Sequence, residues 1–321
     1  MFPSNAHYGH RSLLTAYAGV ADGTPLPGLL QHGWNHDLGA ILTDINLPLP
    51  DPFYTWNQRN VANCQRIGLQ HVATVGSPYL YLPPPAPTAP APPKSLLAIP
   101  VHSWEREKIP HDFKAYADAL ATLRGEFSAI TVCLYWFDHQ FAANRAPFEA
   151  HGFQVITVGH RDGNPTFLPD MRKILRQHAF CTSNRVQTGL FYALHEGLPT
   201  FLFGPPMGLD GRYDHSGQLW DAWQRQEFAT LAYDRFGGDC QTAVAAAELG
   251  ARYRRSAEEL KSILLWQADQ QPQLAATVRR HQIRQARGLA KRWHHLTGKS
   301  AAAAREPSSA VAAARHHGAL V

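Results

Sequence analysis

The chain has 321 residues, 45% of them hydrophobic and 17% charged, enough to bury one large core or two of medium size, which excludes a disordered or fibrous protein. Thirty Lys and Arg against 25 Asp and Glu leave a formal charge of +5, a modest surplus that favours anionic partners such as nucleotides, phospholipid headgroups and polyanionic polymers. No apolar run approaches the length of a bilayer span, the opening MFPSNAHYGH lacks the apolar segment of a signal peptide, and the dispersed Cys64, Cys133, Cys181 and Cys240 fit reduced core residues of a cytoplasmic protein better than a disulfide frame or zinc site.

In chain order, FPSNAHYGH reads as a strand-end loop. An α/β pattern follows, with GLLQHGW as strand and loop, DPFYTW as strand, NVANCQRIGL as helix and HVATVGSPYLYL as strand. LPPPAPTAPAPPK (82–94) forms neither helix nor central strand, because proline fixes φ and has no N–H; it reads as a stiff spacer between the first 82 residues and a second unit over 95–215. In that unit strands and helices alternate: SLLAIPV, then DFKAYADALATLRGEF, SAITVCLYWF, FAANRAPFEAHG, FQVITVG and FLPDMRKILRQHA. Next come AFCTS as a buried strand, a helix capped by Ser183 or Asn184 with Val186, Leu190, Ala193 and Leu194 at helical spacing, a stop at Gly197-Leu198-Pro199, and TFLFG as another strand. Such alternation predicts an α/β fold with a doubly wound parallel sheet. Residues 216–298 read as a helical region. Within it, 277–298 places Arg280, Arg284, Arg287 and Lys291 beside Ile283, Ala286, Ala290 and Trp293, an amphipathic basic helix that serves either as a brace to the first half or as a contact with anionic lipid. The Ala-rich 299–321 reads as disordered.

Two α/β units joined by a spacer hold a ligand outside the carboxyl ends of their strands. The polar residues at those predicted ends are His32 with Trp34 and Asn35, Trp56 and Asn57, Ser77, His102 and Ser103, Asp138 and His139, His160 and Arg161, and Ser183 with Asn184. Histidine recurs at four of these ends. Imidazole exchanges a proton near neutral pH and so suits acid–base work, although each histidine alone also suits a loop hydrogen bond. The helix after Ser183-Asn184 points free N–H groups out of the sheet edge, where an anion binds; the same pair also serves as a plain N-cap.

The run from Leu96 to Pro205, with IPVHSWE, ITVCLYWFDH, GFQVITVGHRDGNPTFLPDM and TSNRVQTGLFYALHEGLPTFLFG, resembles the nucleotide-binding half of bacterial surface-polysaccharide glycosyltransferases of the GT-B fold. In layout it is similar to capsule and O-antigen synthesis proteins, and more distantly to CDP-glycerol glycerophosphotransferases. The resemblance implies two Rossmann-like domains with parallel sheets, the N-terminal one abbreviated, plus C-terminal helices. It further implies transfer from a nucleotide-activated donor to a hydroxyl of a surface-polysaccharide or lipid-linked acceptor, with no cofactor beyond the donor. In the glycerophosphotransferases a His-Gly after an apolar strand supplies the base, and His32-Gly33 in LLQHGW matches it; a small-polar pair opening the last β–α–β unit holds the donor phosphates, and Ser183-Asn184 matches it. On this layout His102, Ser103, His160, Arg161 and Thr188 complete the donor side, while His7, His10, Trp34 and Asn35 lie on the acceptor side.

The chain departs from the family in two places. It opens in a loop without its strand, which implies a start internal to a longer gene or a reduced acceptor domain. The acidic residue that often contacts the donor ribose is not at its place in the last helix, where Tyr192 sits, and Glu196 lies at the far end. With no D-x-D motif, the charge on a departing phosphate falls to the helix N-terminus, His160 and Arg161. Two other readings stay open. A nucleotide-sugar epimerase or hydrolase needs a cleft carboxylate, for which Glu105 is the nearby candidate; a catalytically inactive nucleotide-binding or scaffold subunit of a polysaccharide assembly complex fits the short first half. Dispersed basic residues before position 250 and aromatics in apolar strands argue against nucleic acid.

Overall fold

The computed structural model describes residues 3–36, 52–87, 89–103, 112–162, 164–207, 218–234, 241–280 and 282–283. Pro3–Gly9 coils as tight turns into α1 (His10–Ala18), with Tyr8 (φ 58°) and Gly9 (φ 72°) both left-handed at the joint. Glycine is required there, because a Cβ on Gly9 would lie 2.2 Å from the Pro165 carbonyl oxygen. The first sheet is parallel, β1 (Leu29–Leu30), β2 (Phe53–Thr55) and β3 (Val72–Thr74) in that order, with α2 (Gln58–Arg66) between the last two. The Asn57 side chain caps α2 by accepting from the Asn60 N–H. The strand expected over 71–82 stops at Thr74: Gly76 turns at φ 71° and Ser77-Pro78 opens a tight turn over Pro78–Tyr81, where proline has no N–H for a ladder.

The described residues from 83 to 94 form neither strand nor helix and are mostly exposed. Beyond them the larger sheet contains β4 (Ser95–Ala98), β5 (Ala129–Cys133), β6 (Gln154–Ile156), β7 (Phe180–Ser183), β8 (Thr200–Leu202) and β9 (Ala232–Tyr233), all parallel, in the order β6-β5-β4-β7-β8-β9. Its helices are α3 (Phe113–Ala121), α4 (Trp136–His139), α5 (Ala142–Ala150), α6 (Phe167–Arg176), α7 (Thr188–His195) and α8 (Gln218–Glu227); α9 (Thr242–Glu248) and α10 (Ala257–Ile263) follow. Leu96 and Ala98 enter one buried cluster, with Tyr116, Val132 and Phe148, while Leu97 enters another with Leu190 and Phe191. The strand is thus covered on both faces, which is why it reads as a continuous apolar run. The second cluster also holds Leu30, Tyr54 and Trp56, so one core runs from the first sheet into the second.

The α/β layout with parallel sheets is the one expected, with three further local corrections. The strand read into 128–137 ends at Cys133, and Trp136–His139 closes a helical turn. The last helix of the β–α–β unit begins at Thr188 with Gln187 as N-cap, not at Ser183 or Asn184. The region read as helical contains β9, anchored by the Tyr233 hydroxyl donating to the Gln224 carbonyl at 2.7 Å. Residues 271–280 are helical, whereas the basic part of 284–298 and the tail 299–321 lie outside the described residues.

Candidate active site

β4 and β7 are sequence-distant neighbours, and the connections after them leave toward opposite edges of the sheet. That switch point opens a crevice at their carboxyl ends. A cleft of about 290 Å³ occupies it, walled by Gly33 to Asn35, Ile99 to His102, Tyr135 and Trp136, Thr157 to Gly159, and Arg185 to Gly189, with Tyr8, His32 and Trp220 at its sides.

The floor comes from the turn between β7 and α7. Ser183 and Asn184 lie beneath it, buried and engaged. The Ser183 hydroxyl oxygen accepts from the Arg185 N–H and from Gln187 Nε2. Asn184 Oδ1 accepts from the Val101 N–H at 2.9 Å and Asn184 Nδ2 donates to the Pro205 carbonyl at 3.2 Å, tying the loops after β4, β7 and β8 together. The residues presented to the cleft are the next ones. Arg185 is buried with its guanidinium 3.8 Å from the Trp220 ring centroid, Gln187 Nε2 donates to the Ile99 carbonyl at 2.7 Å, and Thr188 and Gly189 expose the first turn of α7. The start of the helix is therefore displaced from the expected pair, and Arg185–Gly189 line the cleft while Ser183 and Asn184 lie beneath it.

The opposite wall comes from β1. Gln31 Oε1 accepts from the Thr55 hydroxyl, the Trp56 N–H and Asn60 Nδ2, and its Nε2 donates to the Gly33 carbonyl, so one buried amide sets where His32-Gly33 leaves the strand. His32 is open to cleft water but surrounded by protein on the scale of the cleft, and its pKa is lowered to about 4, first by desolvation and then by His7 and Arg161, with Asp162 opposing. Since the ring does reach water, the direction is what matters: His32 is neutral at pH 7 and able to accept a proton. His7 pairs with Asp162 at 3.1 Å, and its ring stands edge-on to His32 at 5.8 Å. His10 does not reach the cleft surface. It is fully buried, neither ring nitrogen has a hydrogen-bond partner among the described residues, and desolvation lowers its pKa to about 3. Trp34 and Asn35 both line the cleft, and the Trp34 indole also packs among Phe191, Trp223 and Phe228 with its Nε1 donating to Glu248 Oε2 at 2.7 Å.

The remaining predicted residues divide. His102 lines the cleft, stacked on Tyr135 at 4.2 Å, while Ser103 is buried with its N–H donating to Asp138 Oδ2 at 2.9 Å. Asp138 is thus a brace for the loop after β4. His160 packs on Trp136 at 4.0 Å outside the cleft wall, and Arg161 accepts the Tyr8 N–H at its carbonyl while its guanidinium stands 3.4 Å from Asp162. Glu196, at the end of α7, is paired with Arg172 at 2.9 Å and Arg176 at 3.6 Å and accepts from the Tyr79 hydroxyl, away from the cleft. Glu105 lies outside the described residues. Sequence reasoning missed Tyr8, Arg185, Gln187, Gly189 and Trp220. Arg185 was within reach: it is the cation two residues past a predicted strand end.

No protein-family model and no curated protein sequence matches the chain. The similar proteins are solved structures. They include a mutant of S. aureus TarM in complex with fondaparinux, α-GlcNAc-glycerol and UDP, at TM-score 0.34 and 12% identity, covering 76% of this chain and 50% of that one. A mutant of the Thermobaculum terrenum O-GlcNAc transferase has TM-score 0.29 and 15% identity over 75% of this chain and 49% of its own. Os79 from O. sativa, in complex with UDP and a deoxynivalenol glucoside, has TM-score 0.30 and 13% identity over 66% and 49%. The chain spans about half the length of these structures. Among the described residues no group of His, Cys, Asp or Glu could hold a metal ion, and no helix is long and apolar enough to cross a membrane.

Proposed function

We propose that the protein transfers a glycosyl group from a nucleotide-activated donor to an acceptor hydroxyl. The observation that carries this is the cleft at the β4/β7 switch point, which sets a buried Arg185 and the first turn of α7 across from the neutral imidazole of His32. Each side has a distinct task. The donor diphosphate lies against Arg185 and the free N–H groups of α7, which receive the negative charge as the bond to the sugar breaks. His32 takes the proton of the attacking hydroxyl, which needs a neutral base, and the stacked rings of His102 and Tyr135, from the loops after β4 and β5, supply a flat wall for the donor. The acceptor is a surface-polysaccharide or lipid-linked hydroxyl, and the basic segment beyond Ile283 docks the protein on anionic lipid at the inner face of the membrane.

Titration calorimetry with UDP and CDP tests the donor half. Arg185→Gln should weaken nucleotide binding about 10-fold or more, since a charge-assisted hydrogen bond to phosphate is worth roughly 1.5–3 kcal/mol. His32→Ala should leave nucleotide affinity within a few-fold while abolishing transfer. Nucleotide binding unchanged by Arg185→Gln would refute the placement of the phosphates.

A further inference from the structure

Glu248 is a carboxylate with a side chain only 7% exposed, and it lies in α9, outside the cleft. A buried carboxylate is costly unless its oxygens are well used, and burial raises its pKa against the pull of Trp34 and Arg59. Both oxygens are used. Oε1 accepts from Arg59 of α2 at 2.7 Å and Oε2 accepts from the Trp34 indole at 2.7 Å, while the Glu248 backbone carbonyl accepts from Asn57 at 3.0 Å. Arg59 also reaches Glu227 at 3.2 Å. Trp34 in turn donates its backbone N–H to the hydroxyl of Thr188, the first residue of α7, at 2.9 Å. A Cβ on Gly33 would stand 3.5 Å from that hydroxyl, so the loop lies flat against the helix start. His32 is thereby held from both sides: Gln31 fixes the strand end before it, and Trp34 fixes the loop after it.

We propose that Glu248 is a positioning residue, which acts through Trp34 to hold the His32 loop against the first turn of α7 and so sets the distance between the two halves of the cleft. An apolar residue would pack as well beside the Trp34 ring but would accept neither donor. The carboxylate gives each of the two N–H donors an oxygen of its own, whereas an amide offers one acceptor oxygen and turns an NH2 group toward the other donor.

The consequence for catalysis rests on the reading of His32 as the base; the mechanical link does not. NMR titration of the His32 ring tests that link without any substrate. The groups facing His32 are His7 and His10 from the N-terminal segment and Arg161 and Asp162 from the loop after β6; desolvation, His7 and Arg161 hold its pKa down against the opposing pull of Asp162. In Trp34→Phe, which keeps a smaller ring in the aromatic cluster and removes the indole donor, and in Glu248→Gln, the loop is expected to lift and the His32 pKa to rise by about one unit toward its ordinary value. The double variant should shift no further than either single one. Arg59→Gln, at a partly exposed side chain, gives a smaller rise and remains folded. An unchanged His32 titration in folded Trp34→Phe and Arg59→Gln would overturn the proposal. Calorimetry with UDP on the same variants is a separate arm: if UDP fails to bind the wild type, the functional reading falls while the positioning link stands or falls on the titration alone.

Discussion

Asn184 and Arg185 are adjacent, yet one is tied into the fold and the other lines the cleft. The Asn184 amide joins the Val101 N–H to the Pro205 carbonyl from a nearly inaccessible position. Asn184→Asp therefore keeps an acceptor for Val101, loses the donor to Pro205 and buries a charge. We expect a loss of about 2–4 kcal/mol in denaturant unfolding, the cost of an unsatisfied buried group with a charge added. The same scale explains an acid sensitivity. The folded-state pKa of His10 is about 3, below its ordinary 6.5, so from pH 6.5 downward the unfolded chain binds a proton that the native chain refuses. Stability from this group is whole above pH 6.5 and is lost as pH falls toward 3, by up to roughly 1.4 kcal/mol per pH unit. Glu248, with its raised pKa, contributes in the opposite sense, so the comparison must be between variants. His10→Phe, which removes two buried nitrogens without a hydrogen-bond partner among the described residues, should melt no lower than wild type at pH 7 and lose less stability than wild type between pH 6.5 and 4.

At the scale of elements, the N-terminal turn is fastened to the larger sheet by its backbone. The Tyr8 N–H donates to the Arg161 carbonyl at 2.7 Å, and Gly9 lies against Pro165. A side chain at Gly9 meets both a left-handed φ and the Pro165 carbonyl, so Gly9→Ala should lower stability by more than about 1 kcal/mol and move His7 and Tyr8 away from Arg161 and Asp162. A lower melting temperature, with loss of the His7–Asp162 coupling in NMR, is the expected result. α7 shows how local signals mislead. Ser183 and Asn184 have the composition of an N-cap, but their side chains are taken by the loops after β4 and β8 and by Gln187, so the helix waits until Thr188.

For the whole molecule, the helix over 271–280 belongs to the core. Leu274 and Thr277 are buried and Val278 packs against the central cluster. A truncation after Ala276 would therefore disturb packing as well as charge. Cutting after Ile283 spares those contacts and removes Arg284, Arg287 and Lys291. We expect the full chain to bind anionic vesicles in a salt-sensitive manner and this truncation to lose that binding while melting at nearly the same temperature. Equal vesicle binding by both forms would assign the attraction to another face.

The α/β architecture was legible in the sequence because a strand covered on both faces must be largely apolar, and SLLA, AITVC and TFL are, with only the short hydroxyl residues Ser95, Thr131 and Thr200 interrupting them. His32-Gly33 at a strand end and the β–α–β unit around 180–202 were legible for the same local reason. Among the described residues the cysteines Cys64, Cys133 and Cys181 are buried where their apolar neighbours place them, and burial pushes the Cys64 and Cys133 thiols up to about 12. Strand order was not legible, since nothing in β4 or β7 alone says that they lie side by side, and that adjacency creates the cleft. Nor was the division between Ser183-Asn184 as brace and Arg185–Gly189 as surface. It depends on which side chains are taken by loops some 20 and 80 residues away in sequence, a choice made only when the sheet closes and each buried donor and acceptor must find a partner.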